Sequence, residues 1–161
     1  RKHSDSANVE AVMRNLNLHL MLVSVVAAAF FAADARAQAT DSPALKSYAE
    51  VQALLNSFIK RNKGKIEFAP HEAFWNAMSY RQFIEGNVPE VNGPGGQPLK
   101  ILIVGNARES NIIMALRGTR GSIFDREKGA IGRMPPIGPF MSDEEIDRLA
   151  DWIDRGCPEG P

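Results

Sequence analysis

The stretch SDEEIDRLADWIDRGCP, Ser142 to Pro158, carries a whole helix with both ends marked. Ser142 and Glu145 have the spacing of a capping box, and Asp143 and Glu144 place negative charge where a helix N-terminus is partly positive. Ile146, Leu149, Ala150, Trp152 and Ile153 recur at helical spacing and give one face to a core. Gly156 supplies a C-cap and Pro158 blocks continuation. Ser42-Pro43 reads as the start of a second helix, an N-cap followed by proline at the first helical position. Leu45, Tyr48, Val51, Leu54, Leu55, Phe58 and Ile59 form its stripe. Lys60, Arg61, Lys63 and Lys65 suit its C-terminal end, where Gly64 is the stop.

Shorter segments between these two helices fit the same class. Pro70 to Trp75 reads as a short helix start, and Ser79 with Gln82 as a capping box before Tyr80, Phe83 and Ile84. Glycines and prolines make Asn87 to Pro98 a loop, and Ile101 to Val104 reads as a short extended run ending at Gly105. A helix is expected from about Glu109 to Arg117, with Ile112, Ile113 and Leu116 inward and Gly118 as its stop. Gly118 to Met141 has little periodicity and is a long loop, of the kind that is usually functional or disordered. Its apolar residues, among them Ile123, Phe124, Ile131, Met134, Ile137 and Phe140, point to a loop packed over something. The expected fold is all-α, four to five short helices joined by long loops.

Composition narrows the function. The 161 residues are 44% hydrophobic and 24% charged with zero formal net charge, which excludes a disordered or coiled-coil chain. Without a basic surplus, nucleic acid is not an expected partner. A single cysteine, Cys157, excludes an internal disulfide and a multi-cysteine metal cluster. Residues 1–12 read as an upstream extension and 13–37 as a signal peptide. Arg14 is its positive region, Leu20 to Ala33 an uncharged apolar core, and Ala35, Ala37 and Ala39 offer cleavage sites after Ala37 or Ala39. That core is shorter than the roughly 20 residues that span a bilayer. Residues 38–161 are then an exported domain, periplasmic or secreted, with no membrane attachment after cleavage.

From Ile101 to Cys157 the order of short motifs is distinctive. Val104-Gly105-Asn106 and Ser110-Asn111 precede a helix, followed by Arg133-Met134-Pro135-Pro136, Ser142-Asp143-Glu144-Glu145-Ile146, Trp152-Ile153-Asp154 and Gly156-Cys157-Pro158. This resembles the distal half of a cytochrome c domain, in particular the small bacterial type found beside periplasmic oxidases. Tyr80 to Gly86 resembles a segment that such domains carry after the haem site. The resemblance covers about two-thirds of residues 38–161. It implies a cytochrome c-like fold whose closing helix packs on the first, with Met134 in the position of the sixth haem ligand.

One departure carries the chemistry. The family attaches haem through Cys-x-x-Cys-His, two thioether bonds and a proximal imidazole, near the end of the first helix. Here the corresponding stretch, Asn56 to Asn62, contains neither cysteine nor histidine, and Cys157 stands at the other end of the domain. Covalent haem is chemically unavailable.

Each remaining candidate has a functional and a plain reading. Met134 is a thioether suited to haem iron or copper(I), or an apolar gap-filler; Met141 either joins it or packs beneath the last helix. His71, the one histidine of residues 38–161, is a haem or copper ligand, or a helix-end imidazole with a bonded ring nitrogen. Trp75 and Phe140, with Phe74, Phe83 and Trp152, line a cofactor pocket, or fill the volume that haem occupies in relatives, because an empty cavity of that size is costly. Cys157 is expected near the surface after the last helix, where it forms an intermolecular disulfide or is a small, partly buried residue, without the activation that a nucleophile needs. No nucleophile–base set, phosphate loop or zinc pattern is legible, so an enzyme is not expected. The leading expectation is a cytochrome c-like module without covalent haem, serving as a binding or accessory domain for a periplasmic redox enzyme or electron-transfer protein. The alternatives are an electron carrier holding haem non-covalently through His71 and Met134, and a periplasmic copper-binding protein using the same two residues.

Overall fold

The computed structural model describes residues 42–62, 66 and 69–161. The expected upstream extension, signal peptide and helix stop at Gly64 all lie outside the described residues. Ser47 caps α1 (Tyr48–Arg61), its side chain accepting from the Glu50 amide, and Asn62 closes the helix. The helix therefore begins five residues after the Ser42 expected from the sequence. Tyr48, Val51, Leu54, Leu55 and Phe58 are its buried stripe. A 3₁₀ turn at Phe74–Asn76 replaces the expected helix start at Pro70, and α2 follows at Tyr80–Glu85 with both arms of the Ser79–Gln82 capping box formed.

The next segment corrects the all-α expectation. Asn87–Asn92 is a strand, β1, and pairs antiparallel with β2 (Pro98–Lys100). Residues 93–97 make the turn, with the Gly93 amide donating to the Gln97 carbonyl at 2.8 Å. The register runs from Asn87 opposite Lys100 to Asn92 opposite Pro98, with an irregularity between. Glu90, at φ 57°, lies within that irregular stretch, as expected where a strand takes extra residues. Leu99 is buried and Val88 packs on the core, so the hairpin is a working part of the domain. The fold is mixed: four α-helices and one two-stranded antiparallel sheet among the described residues. Ile101 to Val104, expected to be extended, lies beyond β2, with Ile101 and Leu102 buried and Ile103 and Val104 exposed.

A 3₁₀ turn at Ala107–Glu109 leads into α3 (Asn111–Arg117), and Gly118, at φ 64°, ends it in a left-handed cap. The final helix, α4 (Asp143–Asp154), has both arms of the Ser142–Glu145 capping box. Its buried face is Ile146, Leu149, Trp152 and Ile153, which leaves Ala150 at the margin.

The two long helices meet at both ends. At one end Arg61 of α1 binds Glu145 of α4 with two contacts of 2.7 Å. At the other, the Tyr48 amide donates to the Glu159 carbonyl at 3.0 Å, and Gly160 lies so close to Ser47 that an added Cβ would sit 2.3 Å from the serine Cβ. Residues 42–46 run along α4, where Arg148 donates to the Pro43 carbonyl and Arg155 to the Leu45 carbonyl. The core lies between these helices and takes in Phe83, Ile101, Leu102, Ile113, Leu116 and Met141.

Candidate functional site

Met134 sits in the long loop, half-buried, with its amide donating to the Ala115 carbonyl of α3 at 2.9 Å. That bond fixes the loop backbone against α3. Met141, seven residues on, is in the core instead, as one of the two readings of it held.

His71 stands among the turns before the first 3₁₀ segment. Its Nδ1 lies 2.7 Å from the Glu72 carbonyl, and its ring meets the edge of Phe74 at 5.7 Å between centroids. None of the contacts described for His71 or Met134 joins one to the other. Among the described residues no group of three or more histidine, cysteine or acidic side chains is placed to hold a metal ion.

Trp75 and Phe140, paired by the sequence as pocket lining, have separate surroundings. Trp75 is buried beside α1: its indole N–H donates to Asn56 Oδ1 at 2.8 Å, and its carbonyl accepts from the Tyr48 hydroxyl at 2.8 Å and from Gln52 at 2.7 Å. It belongs to a continuous aromatic group. Phe74 contacts Trp75 at 5.3 Å and stacks on Phe83 at 6.1 Å; Phe83 in turn meets Tyr48 at 5.1 Å and Trp152 at 6.4 Å. Such pairs add stabilisation beyond their buried area. Their polar tips are also satisfied within the chain, since the Trp152 indole donates to the Pro158 carbonyl and the Tyr80 hydroxyl to the Cys157 carbonyl. Burial, only partly offset by Gln52, raises the Tyr48 pKa to about 12, so this phenol stays protonated across the physiological range.

Phe140 is half-exposed at the far end of the long loop, and two guanidinium groups approach its ring. The Arg133 carbon Cζ is 4.0 Å and that of Arg126 5.3 Å from the ring centroid. Sequence reasoning passed over both arginines. The only local hint was Arg133 beside Met134; the convergence with Arg126 and Phe140 comes from the path of the loop.

The loop has a polar organiser that the sequence also did not reveal. The Asp125 carboxylate accepts from the amides of Gly121, Glu127 and Lys128. The Gly121 and Glu127 amides lead in holding its pKa below the ordinary 3.8, against a smaller opposing effect of burial. Ser110 plays a comparable part before α3. It is fully buried, accepts from the Ile103 amide and donates to the Asn106 carbonyl, both at 2.8 Å.

Cys157, expected near the surface and at most partly buried, is fully enclosed. Its backbone is left-handed at φ 56°, turning the chain inward after Gly156, and burial pushes the thiol up to about 11. A neutral, enclosed thiol is a packing group and not a nucleophile. Compared with family profiles, characterised proteins and solved structures, the chain has no match.

Proposed function

We propose that this chain is a non-catalytic, exported binding module, an accessory domain for a periplasmic redox partner that carries no covalent haem. The partner class rests on the resemblance of Ile101 to Cys157 to cytochrome c sequences. The observation that supports the reading best is the aromatic group around Phe83. Beside α1, where the resembling sequences carry their haem-binding cysteines, this chain places Trp75, bonded to Asn56, Tyr48 and Gln52. Tyr48, Phe74 and Trp152 then surround Phe83. These side chains pack on one another and their polar atoms have protein partners, which supports a domain built without a prosthetic group at this place.

The reading gives no part to a non-covalent haem or a two-residue copper site. Such a site needs the imidazole of His71 and the thioether of Met134 to converge on one ion. In support of that, no contact described for either residue joins the two: the His71 ring packs on Phe74, and the Met134 amide donates to the Ala115 carbonyl. No step of the proposed function passes through either group.

Absorption spectra and intact mass test the reading on protein isolated from its native host and again after haemin addition. The expected result is no Soret band as isolated, a polypeptide mass without a tetrapyrrole, and no saturable haemin uptake. A native Soret band, or haemin binding abolished by both His71→Ala and Met134→Ala, overturns it.

A further inference from the structure

The loop between α3 and α4 carries an uncompensated positive charge. Residues 118–142 hold Arg120, Arg126, Lys128 and Arg133 against only Asp125 and Glu127. Arg117 has its counterion in Asp147. Asp125 is engaged by three backbone amides and faces Arg120. Arg61, Arg81 and Arg155 each have a carboxylate within 3.2 Å, whereas Arg126 and Arg133 have none at salt-bridge distance among the described residues.

These two arginines are brought together by the chain. Their aliphatic stems flank Gly118: an added Cβ there would lie 2.8 Å from Arg126 Cγ and 2.8 Å from Arg133 Cβ. Their guanidinium groups share the Phe140 ring. Arg133 Nε donates to the Leu116 carbonyl at 2.8 Å, which holds that side chain in place and leaves its two terminal nitrogens without a described partner. Arg126 is exposed and makes no described hydrogen bond. Burial first, and then the neighbouring Arg126 charge, lower the Arg133 pKa below its ordinary value, with Asp143 opposing. Two like charges held over one ring repel each other, and an anion bridging them removes that repulsion while gaining charge-assisted hydrogen bonds.

We propose that Arg126 and Arg133 form a binding site for a small oxyanion, a phosphate or carboxylate group, beside the ring of Phe140. Arg133 is its anchored arm, held through the Leu116 carbonyl, and Arg126 is its exposed arm, reached by the ligand from solvent. The site is independent of the haem question and stands whether or not a redox partner is found.

The test follows the arginine Nε–Hε NMR signals of the full chain during titration with inorganic phosphate, and separately with acetate, at constant ionic strength. The expected result is joint, saturable movement of the Arg126 and Arg133 signals with one of the two anions. Affinity should fall about tenfold in Arg126→Gln, which removes one charge-assisted contact from an exposed position. Arg133→Lys, which keeps the charge but loses the two-pronged donor, should also weaken binding while the α-helical spectrum is unchanged. Co-sedimentation with phosphatidylglycerol vesicles and not with phosphatidylcholine, lost in Arg126→Gln, would identify a lipid headgroup as the source of a phosphate ligand; saturation by phosphate without co-sedimentation identifies a free ion. Linear, non-saturating shifts with both anions, equal in wild type and Arg126→Gln, overturn the proposal.

Discussion

At Cys157 a left-handed backbone and complete enclosure act on one side chain. The fold favours the neutral thiol, because its pKa rises from 9.0 to about 11 on burial. The stabilisation from this group is therefore complete below pH 9.0 and is lost as pH climbs through about 11. Reaction with a thiol-specific disulfide reagent at pH 8 should be very slow in the folded chain and complete in urea. Fast labelling under native conditions would show that the residue is accessible. Neither the enclosure of Cys157 nor the burial of Ser110 was legible beforehand, because both depend on what distant segments place over them. The positions of Met134, His71, Trp75 and Phe140 were visible as chemistry but not as neighbours. Side-chain type was readable; convergence required the loop path.

Local rules were most informative where a helix end is encoded by adjacent residues. The Ser142–Glu145 box and the apolar stripe behind it located α4, and the Ser79–Gln82 box located α2 in the same way. They failed at α1, where Ser42-Pro43 has good capping chemistry but is drawn into tertiary bonds with α4, the Ser42 hydroxyl donating to Glu144 and the Pro43 carbonyl accepting from Arg148. They failed again at β1, since Asn87-Val88-Pro89-Glu90-Val91-Asn92 has few strand-favouring residues and owes its pairing to the turn at 93–97 and to core contacts of Val88 and Leu99. Glu145 separates two helix-end effects. Burial disfavours its charge, but the Ser142 amide and Arg61 together hold its pKa below the usual carboxylate value. Ser142→Ala should cost about 1 kcal/mol through the lost cap. Glu145→Gln keeps an acceptor for the Ser142 amide and loses only the partly exposed ion pair with Arg61, so it should cost about 0.2–1 kcal/mol. Urea denaturation of the two variants checks the order; a larger loss in Glu145→Gln than in Ser142→Ala would show that the pair, and not the cap, holds this end of α4.

On the scale of the whole domain, α1 and α4 enclose a core that the sequence outlined well, since the apolar stripes of both helices are buried as their spacing required. What could not be read was how the segments after α4 return to the start of α1. The opening amides of a helix have no partner within it and exchange readily with solvent. The Tyr48 amide breaks that order, because the Glu159 carbonyl caps it from across the domain. In deuterium uptake, Tyr48 should be protected well above Ala49, its neighbour in the same first turn, and a variant lacking residues 158–161 should erase the difference. Isotope incorporation at that one position then becomes a clock for release of the C-terminal strap, readable without any attached probe and separate from the melting of either helix.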